Sequence, residues 1–219
     1  SIDLARGERL QAQAVVLATP AYATADLIES LVPDMAATLR EIPYASTATV
    51  SVVYPLDYVP RVLDGSGYVV PRAEGRPLLG CTWTSTKFPH RAPEGFALIR
   101  AFLGRAGDDS IVERTDEDLL RLVRDELRSV LGICKEPKLT RIYRWPKGMP
   151  QYTLGHLDRV ERIERLVGRR PGLFVAGSAL RGVGIPDCIE SGEQAAAGVL
   201  RFMSAAGSAG SAQPLAAER

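Results

Sequence analysis

Two histidines, three cysteines and one glycine-rich loop are the features of this sequence that invite chemistry. His90 lies in the turn-rich run FPHRAPEG and reads as exposed rather than catalytic. His156, in YTLGHLDR, stands just before a helix and reads as a side chain that packs or hydrogen-bonds locally. Cys81, Cys134 and Cys188 have no metal-ligand spacing, so no metal site is assigned. Cys188 falls in the first turn of the last helix, where the dipole lowers a thiol pKa, but beside Ile189 it reads as a small buried hydrophobe. The sequence contains no G-x-S-x-G, no H-E-x-x-H and no P-loop. No catalytic acid, base or nucleophile is assigned, which points to chemistry carried by a cofactor.

The loop lies within Leu173–Ala197, LFVAGSALRGVGIPDCIESGEQAAA. Leu173–Ala176 is a short apolar run consistent with a buried strand, and Gly177 breaks it. Gly182 and Gly184 flank Val183, Pro186 sits where a helix starts, and Asp187 falls in its first turn. Strand, glycine loop and helix N-terminus together offer free backbone N–H groups and the positive end of a helix dipole to a ligand. The phosphate-binding spacing G-x-G-x-x-G is absent, so an ordinary strand-to-helix connection is the competing reading. Asp187 would oppose negative charge on a ligand, and reads as turning away to cap backbone N–H groups.

The elements that must hold this loop follow from pattern. Ile2, Leu4 and Gly7-Glu8 read as a hairpin whose second strand is Ala14–Ala18, deeply buried. A buried strand needs neighbours that two strands alone do not supply, so the chain is expected to be part of a larger protein. Helices are expected over Ala21–Leu31 and Pro33–Arg40, and strands over Ala45–Tyr54, Gly67–Val70, Leu78–Thr84 and Phe96–Leu103. Thr115 caps a helix that Gly132 stops, with Leu119, Leu120, Val123, Leu127, Val130 and Leu131 as its apolar stripe. Lys138–Tyr143 reads as strand, Trp145–Gly155 as irregular, Leu157–Val167 as an amphipathic helix, and 204–219 as a disordered tail.

The expected fold class is mixed α/β and α+β. Residues 1–20 and 172–203 are expected to be parts of one nucleotide-type domain, and 21–171 an inserted antiparallel sheet covered by helices. A net charge of +1 on 219 residues argues against nucleic-acid binding. No run of about 18 apolar residues is present to span a bilayer. An odd cysteine count without a secretory leader suggests reduced thiols and a cytoplasmic setting.

Three segments carry a family resemblance: AGSALRGVGIPDCIESGEQAA; RWPKGMPQYTLGHLDRV at Arg144–Val160, with its Met-Pro-Gln-Tyr-x-x-Gly-His block; and STKFPHRAPEG with FLGRAGD. Over Ser1–Met203 the chain resembles the C-terminal half of the bacterial flavin-dependent protoporphyrinogen and coproporphyrinogen oxidases. The resemblance implies that residues 1–20 and 172–203 are the C-terminal part of a Rossmann-like FAD/NAD(P)-binding domain and 21–171 a substrate domain. It implies non-covalent FAD and oxidation of a porphyrinogen to a porphyrin, with oxygen as acceptor, in haem biosynthesis. It implies that Val183, Gly184 and Ile185 touch the flavin, with Gly177 in the same loop, and that Trp145 lines the cofactor site. It implies that Val69, Thr82 and Phe102 line the tetrapyrrole pocket, although some relatives carry leucine at the first two. The implied partners are the porphyrinogen, oxygen, the missing N-terminal half of the FAD domain and a peripheral membrane contact, with a homodimer open. Other flavin amine oxidases or desaturases, or an inactive porphyrin-binding remnant, are the alternatives.

Overall fold

The computed structural model describes residues 1–210. In chain order the elements begin with strands Ile2–Asp3 (β1), Arg9–Leu10 (β2) and Val15–Leu17 (β3), then helices Ala21–Ile28 (α1) and Pro33–Arg40 (α2). Tyr44–Pro55 (β4), Gly67–Val69 (β5), Leu78–Trp83 (β6), the one-turn helix Thr84–Lys87 (α3) and Phe96–Leu103 (β7) follow. Asp116–Leu131 (α4), Leu139–Pro150 (β8), His156–Gly168 (α5), Leu173–Val175 (β9) and Ile185–Gly210 (α6) complete the set. Among the described residues no helix is long and apolar enough to cross a membrane.

Among the described residues the chain forms two compact units, one built from residues 1–43 and 150–210, the other from the continuous segment Tyr44–Met149. These limits differ from the boundaries expected at 20/21 and 171/172. Helices α1, α2 and α5 belong with the short strands because their buried faces meet each other: Ala25 and Ile28 of α1, Met35 and Leu39 of α2, and Val160 and Ile163 of α5 are all inside. An apolar helix face declares that it is buried, but not against what.

In the first unit β3 runs parallel to β9, with Val15 opposite Leu173 and Leu17 opposite Val175. This corrects the expected hairpin: β1 pairs with Arg9–Leu10, and Val15–Leu17 takes a partner far along the chain. Nor is β3 deeply buried, since Val16 is 41% exposed. Gly172, at φ 84°, turns the chain into β9, and a Cβ there would meet the Gln13 carbonyl at 2.7 Å. Gly198 of α6 lets the Phe174 ring lie against the helix, where a Cβ would sit 2.8 Å from it. Helix α6 also continues beyond the expected end near Phe202, so 204–210 are helical rather than a disordered tail. The alanines of SAAGSAG supply the propensity that the glycines and serines oppose. The rest of that expected tail, 211–219, lies outside the described residues.

The second unit is a five-stranded sheet in the order β5-β6-β7-β4-β8. The β4–β7, β6–β7 and β5–β6 pairs are antiparallel. Alternation along each strand sorts the side chains into two faces. Ala48, Val50, Val52 and Tyr54 of β4 with Ile99, Ala101 and Leu103 of β7 turn inward and pack with Leu119, Val123, Leu127 and Leu131 of α4. The α4 ends behave as expected: the Thr115 hydroxyl accepts the Asp118 N–H at 3.1 Å, and Gly132 closes the helix at φ 74°. Strand β8 corrects the irregular reading of Trp145–Gly155, running on to Pro150. Proline and glycine are tolerated there because β8 is an edge strand, and Lys147, at φ 45°, donates its N–H to the Ser46 hydroxyl at 3.0 Å.

Candidate functional site

The loop between β9 and α6 is held from below by two side chains of the first unit. The His156 ring is 6% exposed, and its Nε2 lies 2.7 Å from the Leu180 carbonyl. A carbonyl only accepts, so Nε2 donates to it, while Nδ1 is buried without a partner. Tyr152 stacks on that ring at 3.9 Å between centroids and donates its hydroxyl to the Ser178 carbonyl at 2.6 Å. Gly155, at φ 76°, makes the turn that puts His156 at the start of α5. This is the local hydrogen-bonding role expected of His156; its contribution to the loop, and that of Tyr152, was not visible in the sequence. The available signals were their four-residue spacing across a glycine and their place in the Met-Pro-Gln-Tyr-x-x-Gly-His block.

The loop itself is closed by its own polar groups. Gly177, at φ 120°, donates its N–H to the Ser191 hydroxyl at 2.9 Å. Gly184 donates its N–H to the Asp187 carboxylate at 3.0 Å, the capping expected of Asp187. A Cβ on Gly182 or Gly184 would run into that carboxylate, so both glycines make room for Asp187. Val183 and Ile185 project outward, 51% and 78% exposed, with Ile189 one turn further at 57%. Ile185 heads α6, and its N–H has no acceptor within the helix. Exposed aliphatic side chains around a helix N-terminus suit the edge of an apolar ring that gains electron density, so these residues fit the expected flavin.

Beside the loop is a cavity of about 400 Å³, lined among others by Val175, Leu180, Arg181, Asp187 and Glu190. Arg181 is already committed, gripping Glu164 through two bonds of 3.0 and 2.8 Å, and that partner raises its pKa. With Asp187 and Glu190 also on its wall, the cavity suits no phosphate.

The expected tetrapyrrole-lining residues lie in the second unit and share one face of its sheet. Register puts Val69 opposite Gly80, Gly80 opposite Phe102 and Phe102 opposite Thr49, one row across four strands. The next row reads Gly67, Thr82, Arg100 and Ser51. Both rows alternate with residues that point into the core. Val69 is 84% exposed and Phe102 36%, and Gly80 between them contributes only backbone. On β8, where Ile142 packs on the core, Tyr143 and Trp145 alternate to the other side, 57% and 53% exposed. Trp145 thus belongs to the sheet unit and Val183–Ile185 to the other. Arg100 and Tyr143 were not singled out from sequence, although each lies two residues from one that was, the spacing that puts strand residues on one face. His90 is exposed on a single turn at Pro89–Arg91, as expected. Cys188 is half-buried, and its Sγ is 4.0 Å from the Gly182 carbonyl. Among the described residues no cluster of metal-binding side chains occurs.

Comparison with known proteins follows the same lines. Coproporphyrinogen III oxidase of Bacillus subtilis (strain 168) is 37% identical over 204 residues, covering 93% of this chain and 43% of that protein. The Propionibacterium freudenreichii subsp. freudenreichii coproporphyrinogen III oxidase is 41% identical over 197 residues, 89% of this chain and 37% of that one. A crystal structure from Exiguobacterium sp. 255-15, assigned as a protoporphyrinogen oxidase, matches with a TM-score of 0.71 at 33% identity, over 87% of this chain and 40% of its own. Cyclohexylamine oxidase from Brevibacterium oxydans IH-35A, at 18% identity and a TM-score of 0.66 over 90% of this chain and 45% of its own, shares the fold. The chain spans about two-fifths of the length of the curated relatives it matches. The mixed α/β fold is that of these flavoproteins, and the flavin containing amine oxidoreductase family matches residues 1–200: the chain belongs to that family.

Proposed function

We propose that this chain is part of an FAD-dependent oxidase that converts a porphyrinogen, coproporphyrinogen III or protoporphyrinogen IX, to its porphyrin with oxygen as acceptor. The observation that carries the reading is that likeness to porphyrinogen oxidases extends along nearly the whole chain, sheet unit included, rather than over the flavin-family loop alone. The first unit contributes one wall of the cofactor site and the second a wall of the substrate site.

A bound flavin would supply two-electron acceptance, used three times per porphyrinogen, with the electrons and protons leaving as hydrogen peroxide. Val183 and Ile185 would pack on its ring and keep water from it. The α6 N-terminus would stabilise negative charge on the reduced ring, and Asp187, bonded to Gly184, is held off that role by its own cap. Val69, Thr82 and Phe102, with Trp145 nearby on the edge strand, would receive the wide apolar macrocycle. The remainder of the FAD domain, including its phosphate-binding segment, is the partner this reading requires; a membrane surface and a second copy are further partners it implies.

The test pairs two preparations. Residues 1–219 expressed alone are expected to purify without stoichiometric flavin absorbance. The longer protein, carrying the preceding half of the family's FAD domain, is expected to purify yellow and to form fluorescent porphyrin and hydrogen peroxide from at least one of the two porphyrinogens. A flavin-loaded longer protein that oxidises amines or phytoene and neither porphyrinogen overturns the proposal.

A further inference from the structure

Arg100 stands at the centre of the exposed sheet face and is not among the residues the resemblance assigns. It occupies the middle strand of five, directly between Thr82 of β6 and Ser51 of β4. Its Nε donates to the Ser51 hydroxyl at 3.1 Å, which fixes the guanidinium on this face. Phe102, two residues on, is its neighbour on the same face, roughly 7 Å along the strand. Flanking them, Gly67 and Gly80 leave a strip of bare backbone, so Arg100 stands between exposed Phe102 and Val69 and the hydroxyl side chains of Thr82 and Ser51.

The charge around Arg100 is unbalanced. The buried Glu126 of this unit is taken by Arg76 at 2.9 Å, and Arg144 and Arg124 have their own acidic partners. Among the described residues no carboxylate is within ion-pair reach of Arg100. The strand positions that alternate onto its face include Val69 of β5, Thr82 of β6, Leu98 and Phe102 of β7, Thr47, Thr49, Ser51 and Val53 of β4, and Arg141, Tyr143 and Trp145 of the edge strand β8; none is acidic, and Arg141 is a second cation two strands away. A half-buried guanidinium without a carboxylate, beside an exposed aromatic ring, suits a ligand that is flat and apolar with an anionic arm.

We infer that Arg100 is a specificity-determining residue that pairs with a carboxylate arm of the substrate while the macrocycle lies over Phe102 and Val69. The inference rests on the porphyrinogen reading and goes beyond it by naming the group that recognises the acidic arms. Ser51 acts as the positioning residue that holds the guanidinium.

The test uses the longer flavin-loaded protein and two probes, coproporphyrin III and its tetramethyl ester, whose binding is followed by porphyrin fluorescence in the same detergent buffer. Arg100→Gln is expected to weaken binding of the free acid tenfold or more and to leave the ester within twofold. It is expected to raise KM for coproporphyrinogen III by a similar factor with kcat within twofold and flavin content unchanged. Arg100→Lys, which keeps the charge without the planar fork, should fall between, and serves if the glutamine variant does not fold. Ser51→Ala should weaken the free acid two- to fivefold. Equal loss for acid and ester, or no loss for the acid, overturns the role of Arg100 while leaving porphyrinogen oxidation intact. A wild-type protein that turns over neither porphyrinogen refutes the parent reading instead.

Discussion

Replacing His156 with alanine tests whether the flavin-family loop is held by the pair of rings beneath it. The substitution removes the donor to the Leu180 carbonyl, 2.7 Å from Nε2, on a residue that is itself 8% exposed. A buried acceptor left without a partner costs about 1–3 kcal/mol. Losing the stacked contact with Tyr152 adds about 0.5–1.5 kcal/mol. The expected destabilisation is therefore about 1.5–4.5 kcal/mol, read by urea unfolding of the flavin-loaded protein. Tyr152→Phe keeps the stack and loses its bond to Ser178, which predicts about 0.5–1.5 kcal/mol. Because both side chains secure the same loop, the double variant should lose less than the sum of the two. His156→Gln, which offers an amide N–H at similar reach, should recover part of the loss. Flavin release on dilution should speed up in the same order, since Val183 and Ile185 ride on the loop. A His156→Ala protein that loses less than about 1 kcal/mol and retains its flavin like wild type refutes the clamp.

Two further substitutions probe the sheet unit. Burial, with Glu126 nearby as a smaller cause, pushes the Cys81 thiol up to about 12. The folded protein thus favours the neutral thiol; that contribution is complete below the unfolded value of about 8.5 and is lost as pH rises towards 12. Between pH 8.5 and 10 wild type should lose about 1.6 kcal/mol more than Cys81→Ala, measured by urea unfolding at the two pH values, and parallel losses would sink the assignment. Gly67 sits at φ 137°, and a Cβ there would collide with the Cys81 carbonyl and come within 2.8 Å of the Thr82 Cα. Gly67→Ala should therefore detach β5, costing about 3 kcal/mol or more, and raise KM for the porphyrinogen as Val69 moves; a variant with wild-type stability and KM would show that the close approach is dispensable.

Local pattern revealed what depends on neighbours in sequence. The strand Phe96–Leu103 and the capped helix behind Thr115 were legible because alternation and a 3.6-residue stripe are written within one element. The partner of Val15–Leu17 was not, since pairing with Leu173–Val175 closes across the whole second unit and leaves no mark in either strand. Trp145–Pro150 was misread because proline and glycine signal a turn unless the strand is known to lie at an edge. The site followed the same division. Val69, Thr82 and Phe102 came from resemblance, and only register shows that they and Arg100 face one way.

Each unit carries its own group of exposed apolar side chains. Val183, Ile185 and Ile189 in one unit, and Val69, Phe102, Tyr143 and Trp145 in the other, are apolar side chains that the structure leaves in contact with water. Isolated exposed hydrophobes are ordinary, but a group gathered on a rigid sheet face, or around a helix start pinned by a buried histidine, marks a surface made to be covered. The buried cores are complete without these side chains: the second unit closes over Val50, Ile99, Leu119 and Leu127, and the first over Met35, Leu39, Val160 and Ile163. On the proposed reading their worth lies in what they bind rather than in holding the fold. Truncating Val183 or Phe102 to alanine should accordingly cost ligand affinity while leaving the unfolding midpoint near that of wild type, the reverse of the pattern expected for Leu119→Ala, which should lose about 2–5 kcal/mol.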